Sequence, residues 1–265
     1  MLKKLTTLAI SVLIIVFGLT AMGAQKNPVA KAATNQTKGR SQVAIERAAK
    51  ANKYLFIFCY KGNDEQTKKM NALFDAVTKK VRKRANSVEV NIADPAENAI
   101  VKKFNLQAAP SPLVLVLAPN GALTGGFAGE FDETQLMEAF ATPCSETCLK
   151  AVQDGKLVIL CIQNASSNSK DAALKGVMDF KADSRFAQFT QIVMLNPADA
   201  AEAKFLKQLQ VDPKSIEAIT VLLTPPGTVL GKFTGATDKA RFVTALSSAG
   251  SGCCPSGSQS GCAPK

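Results

Sequence analysis

The chain has 265 residues, 46% of them apolar, and a net charge of +11, which is enough material for one large or two ordinary hydrophobic cores. It contains no histidine and no tryptophan. Because histidine is the usual general base at neutral pH and the commonest metal ligand, its absence argues against hydrolases that pair serine or cysteine with histidine, and against histidine-ligated metal sites.

The first residues are typical of a secretory signal. A basic start is followed by an apolar run that ends in small residues around Met22. We expect residues 1–24 to be a signal peptide and the protein to be exported to the periplasm or the extracellular space. The alternative is an uncleaved membrane anchor formed by residues 5–24, since that run is about long enough to span a bilayer.

Composition divides the remainder of the chain. Residues 25–40 are polar and aperiodic, so we expect a linker, and residues 251–265 are rich in glycine, serine and proline, which predicts a flexible tail. Residues 41–142 and 143–250 contain similar segments in the same order, which indicates two copies of one domain. The pairs that align the copies are Cys59 with Cys161 and Asp94 with Asn196, both 102 residues apart, and Gly121 with Gly227, 106 residues apart.

Each copy reads, in chain order, as helix, strand, helix, strand, helix, strand, strand, helix. In the first copy the opening helix is amphipathic, and the apolar run at residues 54–59 is typical of a central strand covered on both faces. A second strand, a short helix and the strand at 113–117 follow. A Pro-Asn-Gly turn then predicts a hairpin, and Asp132 is the expected N-cap of the closing helix. Crossover and hairpin connections together predict a mixed sheet.

This order resembles the thioredoxin fold. The residues that carry the resemblance are "ANKYLFIF", "VNIADPAENAIVKKFNL", the Ala109-Pro110 step before "LVLVL", and "PNGALTGGFAG". The second copy is similar through "KLVILCI", "TVLLTPPG" and "KFTG". The resemblance implies an α/β protein of two tandem thioredoxin-like domains, each a mixed central sheet flanked by helices.

The family carries a Cys-x-x-Cys at the start of the helix after its first long strand, where the helix N-terminus stabilises a thiolate. Here that position falls within residues 63–67, which read Asn-Asp-Glu-Gln-Thr, and the second copy reads "NASSNSK". Neither contains cysteine, so the dithiol chemistry of the family does not carry over at its usual place.

The resemblance also implies a cis-proline opposite that position. Pro110 is the first candidate and Pro112 a close rival, while the second copy has Ser215 and Ile216 at the places matched to the candidate step. We therefore expect a cis bond in the first copy and none in the second, because non-proline cis bonds are several-fold more costly.

Seven cysteines in an exported chain suggest at least one disulfide, and an odd count leaves one thiol over. Cys59 and Cys161 end apolar strands, and we expect structural, buried thiols rather than reactive ones. Cys144 and Cys148 lie four residues apart in a helix that Thr142 and Pro143 should begin, where the helix dipole favours thiolate. For this pair a disulfide, a soft-metal site and inert thiols all remain open.

The tail cysteines are the other candidate thiols: Cys253, Cys254 and Cys262. They could reach the helical pair, a partner, or a soft cation such as Cu(I) or Zn(II), so they are also the candidate metal ligands. No resident cofactor is otherwise expected.

The densest basic run is residues 78–84. It fits a solvated helix end that complements the dipole, or contact with an anionic surface. No aromatic residue interleaves it, so nucleic-acid binding is not expected, and membrane association is expected only through an uncleaved N-terminal segment.

The leading hypothesis is an exported, non-enzymatic protein that uses the fold as a binding or scaffold module for an unknown protein partner. The alternatives are a thiol-disulfide oxidoreductase acting through Cys144, Cys148 and the tail, and a thiolate carrier of soft metals.

Overall fold

The computed structural model describes residues 38–250, with side chains to residue 248. The expected signal or anchor, most of the expected linker, and the tail with its three cysteines lie outside these residues. Contacts divide the chain between Ala141 and Thr142 into units 1 and 2. In the described part, no helix is both long enough and apolar enough to cross a membrane.

From residue 38 onward, unit 1 contains four α-helices and four strands in the predicted order. They are α1 (Arg40–Lys50), β1 (Tyr54–Tyr60), α2 (Glu65–Val81), β2 (Ala85–Asn91), α3 (Asn98–Lys103), β3 (Leu113–Leu117), β4 (Leu123–Ala128) and α4 (Glu133–Glu138), with a 3-10 turn at Pro95–Glu97 before α3.

Unit 2 repeats the order. Its elements are α5 (Pro143–Gln153), β5 (Leu157–Ile162), α6 (Lys170–Ala182), β6 (Thr190–Leu195), α7 (Ala203–Gln208), β7 (Ile219–Thr224), β8 (Thr228–Thr234) and α8 (Lys239–Gly250), with a 3-10 turn at Ala200–Glu202 before α7.

Both sheets are mixed and have the same topology. Their strand orders are β2-β1-β3-β4 and β6-β5-β7-β8. The first pair in each order is parallel and the other two pairs are antiparallel. The expected fold class is therefore confirmed: the protein consists of two tandem thioredoxin-like α/β domains, each a mixed central sheet flanked by helices.

The central strand of unit 1 is buried on both faces, which explains its uninterrupted apolar sequence. One face, which includes Ile57, packs against α1 and α3. On the other face Phe58 contacts Phe74 of α2, with ring centroids 5.4 Å apart. Because both faces are filled, side-chain direction along β1 decides which helix layer each residue meets.

The alignment of the two copies through their cysteines was wrong by one residue. Tyr54 N–H donates to Arg84 O at the start of β1, and Leu157 N–H donates to Phe189 O at the start of β5, so β1 and β5 correspond at a spacing of 103 residues. Since strand side chains alternate between faces, the shift places Cys59 and Cys161 on opposite faces of their sheets. Cys59 packs beneath α1, whereas Cys161 packs with Phe180 of α6.

Two predicted helix starts are confirmed. Asp132 and Gln135 form a reciprocal capping box at α4. Thr142 caps α5, with Pro143 as its first residue, so Thr142 belongs to unit 2 and not to the end of unit 1 as expected. Arg40, expected to be the end of the linker, is the first residue of α1.

Candidate functional site

The start of α2 is the position at which the thioredoxin family carries its pair of cysteines, and this chain has none there. Asp64 is the N-cap, and its Oδ1 accepts a hydrogen bond from the Thr67 N–H at 2.7 Å. Asp64 and Thr67 are three residues apart, which is the spacing of a Cys-x-x-Cys. The bond from Thr67 lowers the pKa of the Asp64 carboxyl from its usual value. The helix N-terminus therefore already interacts with a fixed carboxylate from its own chain.

The loop before β3 faces the same region and contains a cis peptide bond. That bond joins Ser111 to Pro112, so Pro112 is the cis-proline and the first candidate, Pro110, was wrong. Pro112 immediately precedes β3, and its carbonyl accepts from Gly129 N–H at 2.8 Å. Lys61, in the segment between β1 and α2, donates its backbone N–H to Ser111 Oγ at 3.1 Å. The two loops are thus joined by a side-chain contact.

In unit 2 the corresponding loops are joined by backbone pairing. Asn168, in the segment that leads into α6, donates its N–H to Ile216 O at 2.7 Å and accepts from Ala218 N–H at 3.1 Å. It forms a parallel bridge with Glu217. By the spacing of the β3 and β7 ladders, Ala218 stands where unit 1 has Pro112. The segment before β7 in unit 2 is therefore paired with its own chain.

Unit 2 does contain a cis bond, contrary to expectation. It joins Pro225 to Pro226, in the turn between β7 and β8. The loop before β7 has no cis bond, but the prediction of none in the second copy is wrong.

The two strand cysteines are both buried, and each is 2% exposed. Burial raises the pKa of the Cys59 thiol to about 12, and the charge of Glu97 raises it further. Burial likewise raises the pKa of Cys161 to about 11. Such thiols stay protonated at neutral pH and act as small apolar side chains.

Cys144 and Cys148 lie in the first turns of α5, and neither is in a disulfide. The expectation of a thiolate favoured by the helix dipole was wrong. Burial, followed by the charge of Glu202, raises the pKa of Cys144 to about 11, and burial with the nearby Cys144 raises that of Cys148 to about 12. Cys148 is 4% exposed, while Cys144 is half-buried and its Sγ lies 3.4 Å from Met194 O.

A buried carboxylate next to Cys144, that of Glu202, was not predicted from the sequence. Glu202 is 2% exposed, and its Oε1 accepts from the Cys144 N–H at 2.9 Å. Its Oε2 has no hydrogen-bond partner in the described part of the chain. Unit 1 has the same arrangement with Glu97, whose two oxygens accept from the Ser41 N–H at 3.3 Å and whose Oε2 also accepts from the Ser41 hydroxyl.

A repeated sequence signal marks these two glutamates. Residues 91–97 read Asn-Ile-Ala-Asp-Pro-Ala-Glu and residues 196–202 read Asn-Pro-Ala-Asp-Ala-Ala-Glu, 105 residues apart. In both, the Asp side chain accepts from the N–H two residues later. The turn therefore positions a buried glutamate at the N-terminus of the opening helix of each unit, which is a structural role.

Within residues 38–248, no group of three or more cysteine, aspartate and glutamate side chains is placed to hold a metal ion. The candidate metal ligands Cys253, Cys254 and Cys262 lie outside the described residues, so the soft-metal interpretation stays a prediction.

The chain matches no protein-family model. It also matches no curated protein. Among solved structures it is similar to the first two thioredoxin domains of Saccharomyces cerevisiae Eps1p, with 10% identity, a TM-score of 0.30, and coverage of 78% of this chain and 95% of that one. It is also similar to the NTD_N/C domain of alkylhydroperoxide reductase AhpF from Enterococcus faecalis, with 12% identity, a TM-score of 0.27, and coverage of 77% of this chain and 98% of that one.

A match to just over a third of the chain is the C-terminal domain of DsbD from Neisseria meningitidis, with 21% identity, a TM-score of 0.30, and coverage of 37% of this chain and 89% of that chain. The fold assignment depends on the strand order and pairing described above.

Proposed function

We propose that the protein is an exported, non-enzymatic binding or scaffold module in which the thioredoxin-like fold is retained without its dithiol active site. The observation that carries the proposal is the start of α2, where Asp64 and Thr67 stand at the spacing of the two family cysteines and bond to each other.

Thiol-disulfide exchange needs an accessible thiolate. The helix N-terminus that would stabilise one in unit 1 has a carboxylate N-cap, and adding a second negative charge there would be unfavourable. The described thiols all have raised pKa values, of about 11 to about 12. No histidine exists to serve as a base. These features support binding over catalysis, and they weigh against the redox alternative based on Cys144 and Cys148.

The test is reduction of a protein disulfide, such as those of insulin, by dithiothreitol with and without the purified full chain. We expect the protein to leave the rate equal to that of dithiothreitol alone. The matched control is the double variant Asp64→Cys with Thr67→Cys, which installs two thiols at the helix start and should accelerate reduction. Acceleration by the unmodified chain would overturn the proposal. Loss of that acceleration in Cys144→Ser would then support the redox alternative.

Export is a separate part of the proposal. It is supported by the basic, apolar and small-residue pattern of residues 1–24. Fractionation of cells that express the full chain should place the mature protein outside the cytoplasm, with residues 1–24 absent by N-terminal sequencing. Full-length protein in the membrane fraction would instead support the anchor formed by residues 5–24.

A further inference from the structure

The basic run at residues 78–84 divides into two groups in the structure. Some of its cations are used within unit 1: Lys80 forms an ion pair with Glu133 at 2.7 Å, and the Arg84 guanidinium lies 4.1 Å from the centre of the Phe140 ring. Lys79 and Arg82 are exposed and form no ion pair within the described residues. A solvated helix end therefore accounts for only part of the run.

Lys79 and Arg82 line a groove of about 430 Å³ at the edge of the sheet. Its other wall is α1, which contributes Arg47, also exposed and without an ion pair in the described chain. Asp75 is the one carboxylate among the lining residues. Three cations against one anion give the groove a net positive charge.

The floor of the groove is the beginning of β2, which is the edge strand of the sheet of unit 1. In the parallel ladder Tyr54 is paired with Ala85, so the backbone groups of Asn86 point toward β1 while those of Ala85 and Ser87 point to the free edge. A free edge between two walls accepts an extended chain as an additional strand.

We propose that this groove, the basic edge of unit 1, binds an extended acidic segment of a partner protein that adds to β2 as a further strand. Alternate side chains of an added strand point to opposite faces. Consecutive acidic residues would therefore face Arg47 on the α1 side and Lys79 and Arg82 on the α2 side. Glu89, exposed further along β2, would repel acidic residues there, so the acidic run aligns with the first half of the strand.

Unit 2 lacks this combination of features. The carbonyl oxygens of Arg84 and Phe189 accept the backbone hydrogen bond from the first residue of β1 and of β5, respectively, so these two residues correspond. Two residues before each of them, Ala187 therefore stands where unit 1 has Arg82. The counterpart of Arg47 is Lys150, which pairs with Asp154 at 2.5 Å. A nucleic acid is a less suitable occupant of the basic edge, because no aromatic side chain lines the groove for base stacking.

The inference rests on the proposed binding role and names the class of partner. The experiment is fluorescence anisotropy of a labelled peptide with a run of glutamates flanked by valine and threonine, titrated with the full chain at low salt. The double variant Arg47→Gln with Arg82→Gln should weaken binding about tenfold, because two surface charge contacts are lost. The control, Lys102→Gln with Lys207→Gln, removes the same charge elsewhere and should leave affinity unchanged.

Strand addition is tested separately from charge. Ser87→Pro removes a backbone donor from the free edge and none from the β1–β2 ladder, so it should reduce binding, while Ser87→Ala should not. Equal binding by Ser87→Pro and Ser87→Ala, with folding verified by circular dichroism, would overturn strand addition.

Peptide binding that is absent, or equal in the groove and control variants, would overturn the whole inference. So would tighter groove-dependent binding of a single-stranded oligonucleotide of the same charge. Either result, with no disulfide reductase activity, leaves the proposed binding role standing. Reductase activity in the unmodified chain defeats that role whatever the peptide does.

Discussion

The difference between Ser41 and Cys144 predicts that unit 2 can be stabilised by one substitution. Both residues follow the first residue of an opening helix and donate a backbone N–H to a buried glutamate. Ser41 adds a hydroxyl bond to Glu97 Oε2, whereas Glu202 Oε2 has no partner in the described part of the chain. Cys144→Ser should supply the missing donor.

The size of the effect follows from the burial of the acceptor. A hydrogen bond to a charged buried group contributes about 1.5–3 kcal/mol, and leaving such a group unsatisfied costs about as much. Serine packs less well than the larger cysteine sulfur, which offsets part of this. We therefore expect Cys144→Ser to raise the free energy of unfolding of unit 2 by about 1 kcal/mol. Ser41→Ala removes the corresponding hydroxyl donor in unit 1 and should lower the free energy of unfolding of that unit by about 1.5–3 kcal/mol.

The assay must distinguish the two units, because a two-domain chain does not unfold in one step. Pulsed alkylation of thiols across a urea series, read by mass spectrometry of the Cys59 and Cys161 peptides, does so, since each thiol is 2% exposed when folded. Cys144→Ser should raise the urea midpoint for Cys161 and leave that for Cys59 unchanged. Cys144→Ala is the matched control and should give no gain. An unchanged or lower Cys161 midpoint in Cys144→Ser would refute the reasoning.

Two further predictions use the same readout, and a third uses circular dichroism. Asp64→Ala removes the N-cap of α2 and should lower the free energy of unfolding of unit 1 by about 1 kcal/mol, seen as a lower Cys59 urea midpoint, with the Cys161 midpoint unchanged as control. Gly176→Ala places a Cβ against the Thr237 carbonyl oxygen and should destabilise unit 2 by about 1–3 kcal/mol; a neutral result would contradict the close approach. Burial raises the pKa of Cys59 to about 12, so the native thiol keeps its proton while the unfolded one loses it above pH ~8.5, and stability should fall as pH rises from there, by at most about 1.4 kcal/mol per unit. Cys59→Ala, followed by circular dichroism in urea, should reduce that slope; an equal slope would contradict it.

The order and type of the elements were predictable from sequence because they depend on local patterns. The strand at 54–60 is an uninterrupted apolar run, and Asp132 and Thr142 are strong N-caps. Register was not predictable from two cysteines, since a one-residue slip reverses every facing direction while the apolar pattern of a doubly buried strand looks the same. The repeated turn at 91–97 and 196–202 aligns the part of each unit around it at a spacing of 105 residues, but the strands that contain the cysteines correspond at 103, so no single spacing aligns the two copies.

The candidate site was predictable only in part. The sequence showed which residues stand at the start of α2, but not that the Asp64 carboxylate accepts from Thr67. It suggested activated thiols at Cys144 and Cys148 from their helical positions. The structure reverses that suggestion, because the dipole acts together with burial and with a glutamate 58 residues away from Cys144 in sequence.

The differences between the two units are more informative about function than their shared fold. Both units retain the features that stabilise the scaffold, including the buried glutamate at the opening helix and the mixed sheet. They differ where a ligand could reach the chain: unit 2 closes the loop before β7 through Asn168, and its counterpart of the basic edge has Ala187 in place of Arg82. In unit 1 the two loops are joined through the Ser111 side chain, and Arg47, Lys79 and Arg82 have no ion-pair partner in the described chain, so unit 1 is where the proposed binding role is most directly tested.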